Sequence, residues 1–286
     1  MGDLTLERSV ETFAALTCDL EDASLELPWA WQAYDEGVRH AFFRTYEELR
    51  ELTAVLGAER ERSGRALTIA QRALAQYHAT YRDWQAVVFG ASEAAARQIP
   101  AEGHWPLSQI LLHFTGAERA FFTLIYYAVQ RLRSDPSLPV EMSEEYWIAF
   151  WEGDPFKQVA ENGSFSDQKA YYARLHERIL HELADIQDAE VEAPSLWWEG
   201  TPMTSHFRLH RLDSHLCQHI IHTEKALEML DQHPREARRL LRLIFNALAQ
   251  VEGMAIGDWD LGLRERTDLA KIIASRSEEI STLLPK

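Results

Sequence analysis

Apolar residues recur along this chain every three or four positions, while the strict alternation of a half-buried strand is scarce. The pattern predicts helices over 4–21, 31–57, 65–97, 105–133, 167–187, 203–231, 235–252 and 264–283. The punctuation agrees: Pro100, Pro136, Pro139, Pro155, Pro194, Pro202 and Pro234 fall between these stretches, where a missing N–H and a fixed φ do little harm. Pro106 suits a first helical turn. Ser166–Asp167 and Thr204 or Ser205 are candidate N-caps. Two connections are long, Ser134–Ser166 (with a short helix expected over 143–151) and Asp188–Pro202. Both carry aromatics, Trp147, Phe150, Trp151 and Phe156 in the first, Trp197 and Trp198 in the second. Such loops are candidate lids, or simply cover the ends of the bundle.

Length and composition narrow the class. The 286 residues allow one enlarged domain or two small ones, and 46% hydrophobic residues are enough for a sizeable core. Twenty-nine basic against 45 acidic residues give a formal charge of −16. That excludes a broad basic groove for nucleic acid and disfavours anionic membranes. The most apolar run, Ala120–Val129, is far short of the roughly 18–20 residues of a membrane span. The start of the chain has no basic and apolar leader. With only two cysteines, Cys18 and Cys217, and no CxxC, the expected compartment is the reducing cytoplasm. Arg235, Arg238, Arg239 and Arg242 form a local basic patch, read as a solvated or ion-paired face.

The chemistry is in the histidines. Of twelve, five fall within Ser205–Thr223: His206, His210, His215, His219 and His222. Residues four apart stack on one helix face, so His215 and His219 share a face that His222 extends, bordered by Leu212, Leu216 and Ile220. In the helix over 105–133, His113 lies on the same inward stripe as Ile110, Ala117, Phe121 and Leu124. Three neutral imidazoles from two helices make an all-nitrogen metal site with open positions. The bland alternative is a metal-free bundle whose histidines find carboxylate or carbonyl partners.

Other motifs fail on spacing. His176-Glu177 is followed by His181, one residue too late for His-Glu-x-x-His. No histidine has a glutamate three residues before it, which excludes a di-iron bundle. There is no P-loop, Gly-x-Gly-x-x-Gly or Gly-x-Ser-x-Gly.

Three segments resemble the DinB/YfiT-like family, which shares its name with an unrelated polymerase. WPLSQILLHFTGAERAF (105–121) is similar to its helix with an inward histidine followed by an acidic residue. SFSDQKAYYARLHERILHEL (164–183) looks like its third core helix, and LHRLDSHLCQHIIHTEKAL (209–227) like its last, with two histidines four apart. The resemblance implies an all-α protein: a four-helix-bundle core over 65–232, with helical extensions at 1–64 and 233–286 packed on it or forming a dimer surface. It implies a divalent metal, nickel or zinc first and iron or manganese next, on His113, His215 and His219. Glu118 matches the family's acidic position and would stand behind the ligands. His222 departs from the family pattern, standing where some relatives carry Gln.

The function expected from this is a metal-dependent enzyme acting on a small-molecule substrate, a thiol S-transferase or hydrolase. A low-molecular-weight thiol such as bacillithiol, mycothiol or glutathione would be the co-substrate, with His222 as the proton-handling residue and Trp197 and Trp198 lining the pocket. The second reading is a non-catalytic, stress-related bundle that binds a metal or small molecule. A structural site would be closed by a fourth ligand, which makes His222 and Glu118 the residues that discriminate the two.

Overall fold

The structure, a computed structural model, describes residues 4–284. In chain order its helices are α1 (Leu6–Thr17), α2 (Asp22–Leu25), α3 (Val38–Arg62), α4 (Ile69–Val88), α5 (Glu93–Arg97) and α6 (Leu107–Ser134). There follow α7 (Glu144–Phe150), α8 (Phe156–Asn162), α9 (Phe165–Leu183), α10 (Ser205–Met229), α11 (Glu236–Ala255) and α12 (Leu263–Leu283). The strands among the described residues are two short antiparallel hairpins, β1 (Ala30–Trp31) with β2 (Tyr34–Asp35), and β3 (Pro194–Ser195) with β4 (Met203–Thr204). The fold is all-α, as the periodicity predicts. No described helix is long and apolar enough to cross a membrane.

The chain divides into two compact units. One takes the residues up to Ala66, Tyr81–Gly90, and those from Gln232 on. Here α3 packs along α11, and α1 along α12. The apolar faces of these four helices meet in a core that includes Val10, Phe13, Phe42, Leu49, Ile244, Phe245, Leu248 and Ile273. Gly262 begins α12 at φ +60°, and a Cβ there would lie 2.0 Å from Leu56 Cδ2. Only glycine fits both demands.

The other unit holds Leu67–Thr80 and Ala91–Asp231. α6 is its central helix, packed along α10 on one side and α9 on the other. The first part of α4 completes a four-helix bundle, joined to α6 through Tyr77 and Glu118, to α9 through His78 and His176, and to α10 through Thr80 and Asp213. α9 starts on a capping box, with Ser164 and Asp167 each accepting from the other's backbone. That sets its start two residues ahead of the predicted one. Thr204 caps α10 by accepting from Phe207 N, as expected.

Several element boundaries need correction. The single helix predicted over 65–97 is two, α4 and α5, parted at Gly90, whose φ of +73° takes the backbone out of the helix. The helix predicted over 4–21 ends at Thr17. The one predicted over 31–57 yields its first residues to the β1–β2 hairpin and begins after Gly37 at φ +77°. Within 134–166, α7 matches the expected short helix, and α8 is a second short helix where the pattern predicts a connection.

Candidate metal centre

α10 and α6 bury Leu209, Leu212, Leu216 and Ile220 against Ile110, Leu111 and Phe114. This packing fixes the rotation of both helices and so the direction of the histidines among those positions. His215 and His219 are buried, while His113 is exposed at the rim. Ring centroids lie 4.5 Å apart for His215–His219, 4.8 Å for His113–His219 and 5.6 Å for His113–His215. One ligand nitrogen from each ring lies within 4.8 Å of the others, a group that could hold a metal ion.

Two details bear on the fit. His215 Nε2 and His219 Nε2 are 3.2 Å apart. Two nitrogens each about 2.0–2.1 Å from one tetrahedral ion are about 3.3 Å apart, so the spacing suits a shared metal. Both Nδ1 atoms are buried and bond to no described residue. Burial pushes both imidazoles down to about 4, with the charge of His113 adding to the shift at His215 and that of His215 at His219. Both rings are therefore neutral at pH 7, the form that ligates. A hydrogen bond between His215 and His219 would account for two of the rings but not for the third.

His222 stands beside the triad, outside it. Its ring is 5.9 Å from His219 and 5.7 Å from Trp105, which itself lies 5.0 Å from His113. Burial, then the charge of His104, lowers its pKa. On the other side Phe121 packs edge-on to His215 at 5.8 Å, and Trp198 lies 6.4 Å from Phe121. Trp197 packs on Trp198 and on Trp147, both at 5.0 Å. His206 and His210 pair with each other at 5.0 Å and are not members of the triad.

Glu118 is fully buried and accepts hydrogen bonds from Tyr77 Oη and, at 3.1 Å, from Tyr172 Oη. Its hydrogen bonds go to these hydroxyls and to none of the three histidines. Burial outweighs both bonds and raises its pKa to about 8. Beside it His78 Nδ1 and His176 Nε2 form a buried hydrogen bond of 2.9 Å, and the His176 ring lies 4.6 Å from that of Tyr77. This polar cluster of α4, α6 and α9 was not foreseen. The only sequence signal was His176, and its partner stands 98 residues away.

Residues 76–222, just over half of the chain, match the sequence family described as the DinB superfamily. No curated protein and no solved structure matches the chain significantly.

Proposed function

Because the chain belongs to the DinB superfamily, we propose that His113, His215 and His219 hold one divalent metal ion in an enzyme that acts on a small molecule. The observation that carries this reading is the convergence of three ring nitrogens from two helices, two of them 3.2 Å apart. An all-nitrogen set suits nickel or zinc, with iron or manganese as further candidates. A bound ion would supply Lewis acidity, making a thiol or water easier to deprotonate. The family resemblance favours a low-molecular-weight thiol as the nucleophile.

The protein's own groups do the rest. Three protein ligands leave positions open, the arrangement of catalytic rather than structural sites. Glu118 is engaged by two tyrosine hydroxyls and His222 is outside the converging group, which supports an open rather than a closed sphere. In this reading His222 takes the proton of the incoming thiol or water on a ring nitrogen, held beside Trp105. Phe121 packs on the His215 side of the site, and Trp198 lies beside it.

The test is protein loaded with nickel or zinc, mixed with glutathione, bacillithiol or mycothiol and a panel of aryl halides and epoxides. Conjugation above the uncatalysed rate is expected with at least one thiol. His222→Gln should keep its metal and lose about 10²-fold or more in rate. Metal-loaded protein that conjugates none of these, and hydrolyses no ester offered in their place, would contradict the enzymatic reading and favour a non-catalytic binding protein.

A further inference from the structure

Arg208 lies on α10 two turns before His215 and is buried at 1% exposure. Its guanidinium donates to Ser195 Oγ, to the Ser195 carbonyl at 3.3 Å and to Glu199 Oε1 at 2.6 Å. All three acceptors belong to the segment that carries Trp198, so a buried cation pins that segment from inside. Trp198 is held there with its ring beside Phe121 and yet is 56% exposed. An exposed indole, fixed in place next to a ring that touches His215, is a stacking surface waiting for a flat partner.

Charge points the same way. Arg211 is one turn before His215, with its guanidinium 5.9 Å over the Phe121 ring. Its hydrogen bond among the described residues goes to Ser214 Oγ at 3.2 Å, and no carboxylate pairs with it. Most arginines of this acidic chain are ion-paired, as Arg44, Arg82, Arg133 and Arg276 are. A guanidinium that pairs with no carboxylate among the described residues, one turn before His215 in a molecule of formal charge −16, is a group that would draw an anion.

We infer that this face takes a flat anionic ligand, an aryl carboxylate in chemical class, with its ring against Phe121 and Trp198 and its carboxylate on Arg211. The inference rests on the reading of this face as the substrate side of the metal site. It adds what that substrate looks like. Arg211 and Trp198 are specificity residues in it, and Arg208 positions Trp198.

The experiment is calorimetric titration of the full chain with 2-naphthoate, 2-naphthylmethanol and cyclohexanecarboxylate, with metal content measured on the same samples. Naphthoate should bind tightest. Arg211→Gln should weaken naphthoate about tenfold or more, the usual size of a charged hydrogen bond, and change naphthylmethanol by less than about twofold. Arg211→Lys should recover part of the loss, and Trp198→Ala should weaken both naphthyl ligands about two- to tenfold. Naphthoate binding no tighter than naphthylmethanol, or binding untouched by Arg211→Gln, overturns the inference. Either result in metal-containing protein would leave the metal reading standing. Protein without metal that still shows the naphthoate contrast would instead keep the ligand class and remove the metal.

Discussion

The two units solve the same packing problem with opposite interiors. In the unit of α1, α3, α11 and α12, the interior is a continuous apolar core with a few buried arginines, which carboxylates, carbonyls or hydroxyls engage. Arg82 is held by Glu7 and Glu252, and Arg276 by Glu48 and Thr45. In the unit of α6, α9 and α10, the interior carries Glu118, His78, His176, His215 and His219. Two of these histidines keep a buried ring nitrogen bonded to no described residue. Buried polar groups left in that state cost stability. Buried histidines and a buried glutamate are concentrated in this second unit, which makes its interior the more polar of the two.

That contrast can be broken in several places. The largest effect is expected from Arg82→Ala, which leaves the Glu7 and Glu252 carboxylates without their buried partner. Unfolding in denaturant should show a loss of about 3–5 kcal/mol, independent of added metal. A loss below about 1 kcal/mol would mean that the ion cluster is not what organises this unit.

A comparable effect, and one specific to the polar interior, is expected at Glu118. Its pKa is about 8 in the fold, against an ordinary 4.5, so the folded protein keeps a proton that the unfolded chain gives up. The stabilisation is fully present below about pH 4.5 and is lost as pH rises through about 8. At about 1.4 kcal/mol per pH unit, the whole effect is no more than about 5 kcal/mol. Glu118→Gln should remove this slope and make the variant the more stable protein near pH 9. Parallel stability profiles for the two proteins would show that Glu118 is ionised in the fold. The smallest effect is at the surface of the same unit. Ser164→Ala removes one side of the capping box of α9 and should cost about 1 kcal/mol by the same denaturant measurement, with no change in metal content.

Much of this was legible in the sequence, for reasons that particular residues make plain. The register of α6 and α10 could be read because Ile110, Leu212, Leu216 and Ile220 repeat at helical spacing; His215 and His219 fall on the buried stripe, whereas His113, expected to face inward, is exposed at its edge. Family resemblance then pointed to the same three residues, and their ring nitrogens converge. The Trp197–Trp198 segment drew notice for its aromatics, but not the contact that holds it, since nothing in the pattern around Arg208 marks it as buried. The polar cluster was invisible because Tyr77, His78, Tyr172 and His176 stand on two helices with ordinary amphipathic patterns. The break at Gly90 was missed because one glycine inside a helical pattern does not declare its φ. The short hairpins were missed because two-residue strands have no periodicity at all.

The most direct measurement is the transition-metal content of tag-free protein by mass spectrometry, for the wild type and for His113→Ala and His215→Ala. The account predicts about one nickel, zinc, iron or manganese per chain in the wild type and background levels in both variants, each still helical by circular dichroism. Wild-type protein that holds no metal after reconstitution and dialysis, or variants that keep theirs, would contradict it.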